Sequence, residues 1–187
     1  MSTFTINMSS PFSTGACTGD FGGPDSGGHH GSTEWYIKFG MDLAAPVGTD
    51  VFATFDGHVT VFHPHKPTTD TSKVFGAQIF IRSQAAATGR NFSDNKLGAF
   101  YTHITDVPTS LRVGSFVRRG DRLGKLFHPG ATHLHLALVE IIGGAPGGRY
   151  KGVNIFSDIR GMAMARTAST LSVMFRQSGS PPAVTTI

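Results

Sequence analysis

Gly130-Ala131-Thr132-His133-Leu134-His135-Leu136-Ala137-Leu138-Val139-Glu140 is the stretch that decides how the chain is read. Its apolar run predicts a buried β-strand, and it sets two histidines two residues apart. In a strand, residues i and i+2 project from one face, so His133 and His135 stand side by side while Leu134 and Leu136 point into apolar packing. Neighbouring imidazoles disfavour each other's protonation, and a bound divalent metal favours the neutral form of the ring that ligates it. The pair therefore suits one metal ligand and one general acid/base. It is equally compatible with two hydrogen-bonded structural histidines, because so short a pattern also arises by chance.

Around that strand, the composition describes one folded domain. The chain has 187 residues, 39% hydrophobic and 15% charged, with 24 glycines and 10 prolines. That is long enough for one sizeable core and too apolar for disorder. Many turns and few sustained helical periods predict an all-β fold. A net charge of +4 and a pI near 9.5 favour polyanionic partners,. Arg118-Arg119 is the only adjacent basic pair, however, so specific nucleic-acid binding is not expected,. The single Cys17 excludes an internal disulfide framework and a thiolate zinc site, which leaves His and Asp to hold any metal,. No stretch has transmembrane length, and Met1 to Met8 lacks the basic and apolar regions of a signal peptide,. The expectation is a chain cytoplasmic as made, delivered to the periplasm or cell wall, if at all, by phage or secretion machinery.

In chain order, residues 1–33 read as an irregular Gly/Ser-rich lead-in, with His29-His30 held in reserve as metal donors. Trp35 to Leu43 alternates like a strand. Val51–Phe55 and His58–His63 flank Asp56-Gly57 as a predicted hairpin,. Loops are expected over 64–73, 85–96 and 143–152, and strands at 78–82, 100–104 and in two short pieces within 113–126. Residues 158–187 read as a C-terminal arm, with one helix or an irregular run over 158–173.

Gly40-Met41-Asp42-Leu43-Ala44-Ala45-Pro46-Val47-Gly48-Thr49, Val51-Phe52-Ala53, Asp56-Gly57-His58-Val59, Tyr101-Thr102-His103-Ile104, Val113-Gly114 with Arg119-Gly120-Asp121, and finally His133-Leu134-His135 follow one another in order. In that order they resemble the lysostaphin-type (LytM-domain) zinc metallopeptidases, over about residues 36–140 of a domain spanning 34–157. The resemblance implies an antiparallel β-sandwich or barrel-sandwich hybrid with long loops. It also implies zinc, a peptidoglycan peptide substrate, Asp42 and His135 as metal ligands, and His103 and His133 as the catalytic histidines.

One position departs from the family motif. Where the family carries its first ligand histidine, this chain carries Lys38. An ammonium has no lone pair to offer a cation, and catalytic zinc usually takes three protein ligands. His29 or His30 could substitute, His133 could turn to the metal, or Lys38 could pair with Asp42 and leave no metal site. The last is electrostatically simplest. It predicts a degenerate domain with little or no hydrolase activity, acting as a wall-binding, regulatory or assembly component with a protein partner. The alternatives are an active zinc endopeptidase with a substitute ligand and, more distantly, a phosphocarrier of the sugar-transport IIA type.

Overall fold

A computed structural model describes residues 3–67, 76–83, 96–127, 131–142, 149–176 and 181–187. In chain order its elements begin with β1 (Thr3–Ser9), β2 (Gly19–Gly22), a 3-10 turn (Gly27–His29), α1 (Trp35–Lys38), β3 (Gly40–Ala44), β4 (Asp50–Phe52), β5 (Gly57–His63) and β6 (Ala77–Ser83). They continue with β7 (Lys96–Thr105), β8 (Phe116–Val117), β9 (Arg122–Leu126), β10 (His133–Ile142), β11 (Arg149–Gly152), α2 (Phe156–Met164), β12 (Thr170–Arg176) and β13 (Ala183–Thr186). The fold is mostly β, with antiparallel sheets, as the sequence predicts.

The larger sheet runs β2-β3-β10-β7-β6-β5-β8, with β11 on β10 and with β9 bridging β4 and β7. A second sheet, β1-β12-β13, shares the main core through Phe4, Ile6, Leu171 and Phe175. Strand β10 is central and covered on both faces, which explains its near-continuous apolar sequence. Leu134, Leu136 and Leu138 are fully buried in the main core with Met41, Leu43 and Tyr101. Ala137, Val139 and Ile141 face the other way, beside Phe80 and Phe100, under a lid of Trp35, Tyr36 and Phe39. Each leucine so buried is worth roughly 1.5–3 kcal/mol of transfer free energy, which fixes the strand's register and therefore which face its histidines share.

Several local expectations are corrected. Residues 1–33 are not irregular throughout: β1 pairs with β12 from Thr3↔Arg176 to Ser9↔Thr170, and β2 pairs with β3. Trp35 to Leu43 is one helical turn followed by a strand, because Trp35 and Phe39, four apart, both pack onto the sheet. The 51–63 hairpin does not form. Strand β4 pairs with β9, while β5 pairs with β6 and β8. The Asp56-Gly57 turn is used otherwise: the Arg119 N–H donates to Asp56 Oδ1 at 2.6 Å, and Gly57 lies so close to β6 that a Cβ would come within 2.3 Å of the Arg82 carbonyl oxygen. The C-terminal segment forms α2, which buries Ile159 and Met162, and then β12. Parts of the expected loops, 68–73, 85–95 and 143–148, lie outside the described residues.

Candidate metal and catalytic site

Three adjacent strands build the floor of the site. Asp42 on β3 stands directly opposite His135 on β10, and Thr102 on β7 stands opposite His135 from the other side. Directly paired residues of an antiparallel ladder have their Cβ atoms about 4.5–5.5 Å apart, within side-chain reach. Here His135 Nδ1 lies 2.8 Å from Asp42 Oδ1. His133, two residues back on the same face, has its Nε2 3.6 Å from the same oxygen. Its Nδ1–H donates to the Ala131 carbonyl at 2.7 Å, so its Nε2 is left to face the cleft.

His103 reaches this face through an irregularity. Tyr101 points into the core, and simple alternation would send His103 after it. Between the pairs Ala77↔Ile104 and Ile79↔Tyr101, one residue of β6, Gln78, opposes two of β7, Thr102 and His103. This is a β-bulge, and at it His103 takes a φ of 68°, in the left-handed region that side chains rarely adopt,. The bulge turns the imidazole over to the outer face. There its ring centroid lies 4.6 Å from that of His133 and 6.0 Å from that of His135.

His29 completes the arrangement. Strand β2 runs beside β3 as far as Gly22↔Asp42, and the glycine-rich turn after it folds back over the carboxylate. His29, only 4% exposed, places Nε2 3.3 Å from Asp42 Oδ2 and donates its Nδ1–H to the Gly23 carbonyl at 3.0 Å. His30 points away, exposed, beside Asp25. Lys38 ends α1 and is not among the described side chains that pair with Asp42, which are His29, His133 and His135. The expected Lys38–Asp42 ion pair is therefore not formed. The two-ligand, degenerate site that it implied is overturned by a His29/Asp42/His135 cluster whose donor atoms all lie within 4.8 Å of one another. His29 was legible only as a reserve donor, because residues 30–41 separate it from Asp42 where the family motif has three.

The hydrogen bonding of this cluster calls for a cation. His135 Nε2 donates to the Tyr36 carbonyl at 2.7 Å, while its Nδ1 faces Asp42. His29 likewise has a carbonyl at Nδ1 and the carboxylate at Nε2. A neutral imidazole has one N–H, so each ring spends it on a carbonyl and turns a lone pair towards Asp42. Protons alone would satisfy these contacts only by charging both rings, whose centroids are 5.2 Å apart. One divalent ion takes both lone pairs and the carboxylate together. Two His and one Asp are a zinc donor set, and zinc is the metal this site fits,. When no metal is bound and the rings carry protons towards Asp42, burial pushes its carboxyl up, but hydrogen bonds from His135 and His29 outweigh it and hold the group well below the usual carboxylate range. In that metal-free state, hydrogen bonding to Asp42 raises the His29 imidazole, against the opposing effect of burial.

The four residues singled out in the sequence, Asp42, His103, His133 and His135, thus line a single cleft of about 240 Å³ with His29. Gly28, Tyr36, Ile37, Gln78, Phe100 and Thr102 complete its described walls, with no Lys, Arg or Glu among them. Exposed Phe21 lies edge-on to His133, ring centroids 5.6 Å apart. Neither Tyr36, which acts through a backbone carbonyl, nor Phe21 carries a sequence signal for such a place.

Residues 36–146 match the model of peptidase family M23. His29 lies just upstream of the matched span. No curated protein matches the chain. Among solved structures, the chain is similar to the catalytic domain of a point mutant of the prophage-encoded M23 protein EnpA from Enterococcus faecalis, with 20% identity over 76% of this chain and 93% of that one, at a TM-score of 0.46. The catalytic domain of lysostaphin from Staphylococcus simulans matches at 19% identity over 74% and 88%, with a TM-score of 0.42. A zinc-containing peptidase from Vibrio cholerae matches at 22% identity over 54% of this chain, which spans 26% of that protein's length, with a TM-score of 0.38.

Proposed function

We propose, since this chain belongs to peptidase family M23, that its cleft hydrolyses amide bonds in the peptide cross-links of bacterial peptidoglycan. The observation that carries this reading is the three-ligand set of His29, Asp42 and His135. Zinc held there supplies a Lewis acid for the scissile carbonyl and lowers the pKa of water.

The chain's own residues supply the rest. His133, with Nδ1–H tied to the Ala131 carbonyl, presents Nε2 to take a proton from the attacking water and return it to the leaving amine nitrogen as the C–N bond breaks,. His103, held against His133 by the bulge, donates to the developing oxyanion,. The absence of charge from the described walls beyond the His/Asp cluster suits a neutral, small-residue peptide such as a glycine bridge. A carboxylate set among the histidines repels a phosphoryl group, which weighs against a phosphocarrier role.

The test is cleavage of purified sacculi and of pentaglycine. Release is expected with zinc, lost with chelator and restored by metal. It should fall by on the order of a hundredfold or more in His135→Ala, because a misplaced reacting group alone costs about that much. No release from either substrate by the zinc-loaded protein would overturn the proposal.

A further inference from the structure

We infer that Trp35 is a positioning residue of the metal centre, locking the His135 ring through the backbone of the segment inserted between the two ligands His29 and Asp42. The inference rests on the metal site proposed above.

Residues 30–41 separate those ligands. A tether of that length imposes no geometry of its own, so the segment must be pinned by packing if it is to hold anything in register. Trp35 provides the pin. It stacks on Tyr150 with ring centroids 4.7 Å apart and an interplanar angle of 25°, and meets Phe80 at 5.4 Å and Phe100 at 6.0 Å, both ring against edge. Phe39, one helical turn on, is a second pin on the same side. Its ring lies over Gly152, where a Cβ would come within 2.2 Å of it,.

With Trp35 and Phe39 packed on the sheet, Tyr36 and Ile37 between them reach the cleft wall. The Tyr36 carbonyl accepts the His135 Nε2–H at 2.7 Å. That bond decides which imidazole nitrogen keeps its lone pair, and so which atom is offered beside Asp42. Phe100 gives a second route, because it touches Trp35 on one side and approaches His135, at 6.4 Å, on the other. Without the Trp35 anchor, the carbonyl is free to drift and the His135 ring to rotate, spreading its two nitrogens over both partners. Trp35 itself is not among the described residues that line the cleft.

The test is zinc affinity, by competition with a chromogenic chelator on the stripped protein, together with the d–d absorption of the cobalt-substituted protein. Removing a group that orients a metal-binding histidine costs about 10–100-fold in affinity, and that loss is expected for Trp35→Ala, with altered cobalt bands. Trp35→Phe should restore most of it. Tyr150→Ala, which removes only the exposed outer ring of the stack, should weaken binding in the same direction and by less. A folded Trp35→Ala with wild-type affinity and cobalt spectrum would overturn the inference. If that variant does not fold, wild-type affinity in Tyr150→Ala would overturn it instead. A wild-type protein that takes up no zinc would be a failure of the metal reading itself.

Discussion

Asp42 gathers the site: His135, His29 and His133 approach its two oxygens at 2.8, 3.3 and 3.6 Å. The neighbouring Gly40 is what lets them fit. A Cβ there would lie 2.2 Å from His135 Cε1 and 3.0 Å from His29 Nε2, so even a methyl group must push both rings aside. Gly40→Ala is expected to abolish detectable cleavage and to lower zinc affinity, while circular dichroism shows the sheet intact. Wild-type turnover in that variant would contradict the packing described. Asp42 and His135 were legible because their strands alternate cleanly and their spacing follows a family motif. His29 was not, since a histidine pair in a glycine-rich run gives no sign that its backbone folds back over β3. Lys38 at the motif's usual position pointed towards the wrong partner.

At the scale of elements, β10 carries a core on each face and, at one end, the paired histidines His133 and His135. Its inner face also buries Glu140, opposite Lys151 on β11. Burial raises the Glu140 pKa, and the charge of Lys151 only partly opposes it. The folded state therefore holds this proton more tightly than the unfolded state does. The contribution is fully present below the unfolded carboxyl pKa and is lost as pH rises through the folded one. Glu140→Gln should thus raise the melting temperature at neutral pH, with the gain shrinking towards zero as pH falls to about 4, near the unfolded value. A gain independent of pH would rule out ionisation as its cause. The strand itself was plain in the sequence. The β7 bulge that aims His103 was not, because a single opposed residue, Gln78, leaves no mark on local periodicity. The α1 turn was read as strand because Trp35, Ile37 and Phe39 also fit a two-residue repeat.

At the scale of the molecule, the smaller sheet joins the chain's first strand to its last two. Phe4 is 4% exposed and stacks on Phe175 with centroids 4.7 Å apart. Phe4→Ala is expected to cost about 3–5 kcal/mol, read by denaturant titration, with zinc affinity of the folded protein unchanged, because no site residue lies on that sheet,. A large loss of zinc affinity would show that the two sheets are coupled through their shared core. The Ser- and Thr-rich ends gave little sign of these strands, and the pairing of β1 with β12 depends on partners more than 150 residues apart, as in Thr3↔Arg176.

The central claim is that His29, and not position 38, supplies the third metal ligand. Isothermal titration of stripped protein with zinc tests it directly across wild type, His29→Ala, His30→Ala and Lys38→His. The expected result is one zinc per chain for wild type, with His30→Ala and Lys38→His within about twofold. His29→Ala should weaken binding by at least about a hundredfold, since losing a ligand costs more than losing the partner that orients one. Unchanged affinity in His29→Ala, or a large gain in Lys38→His, would contradict it.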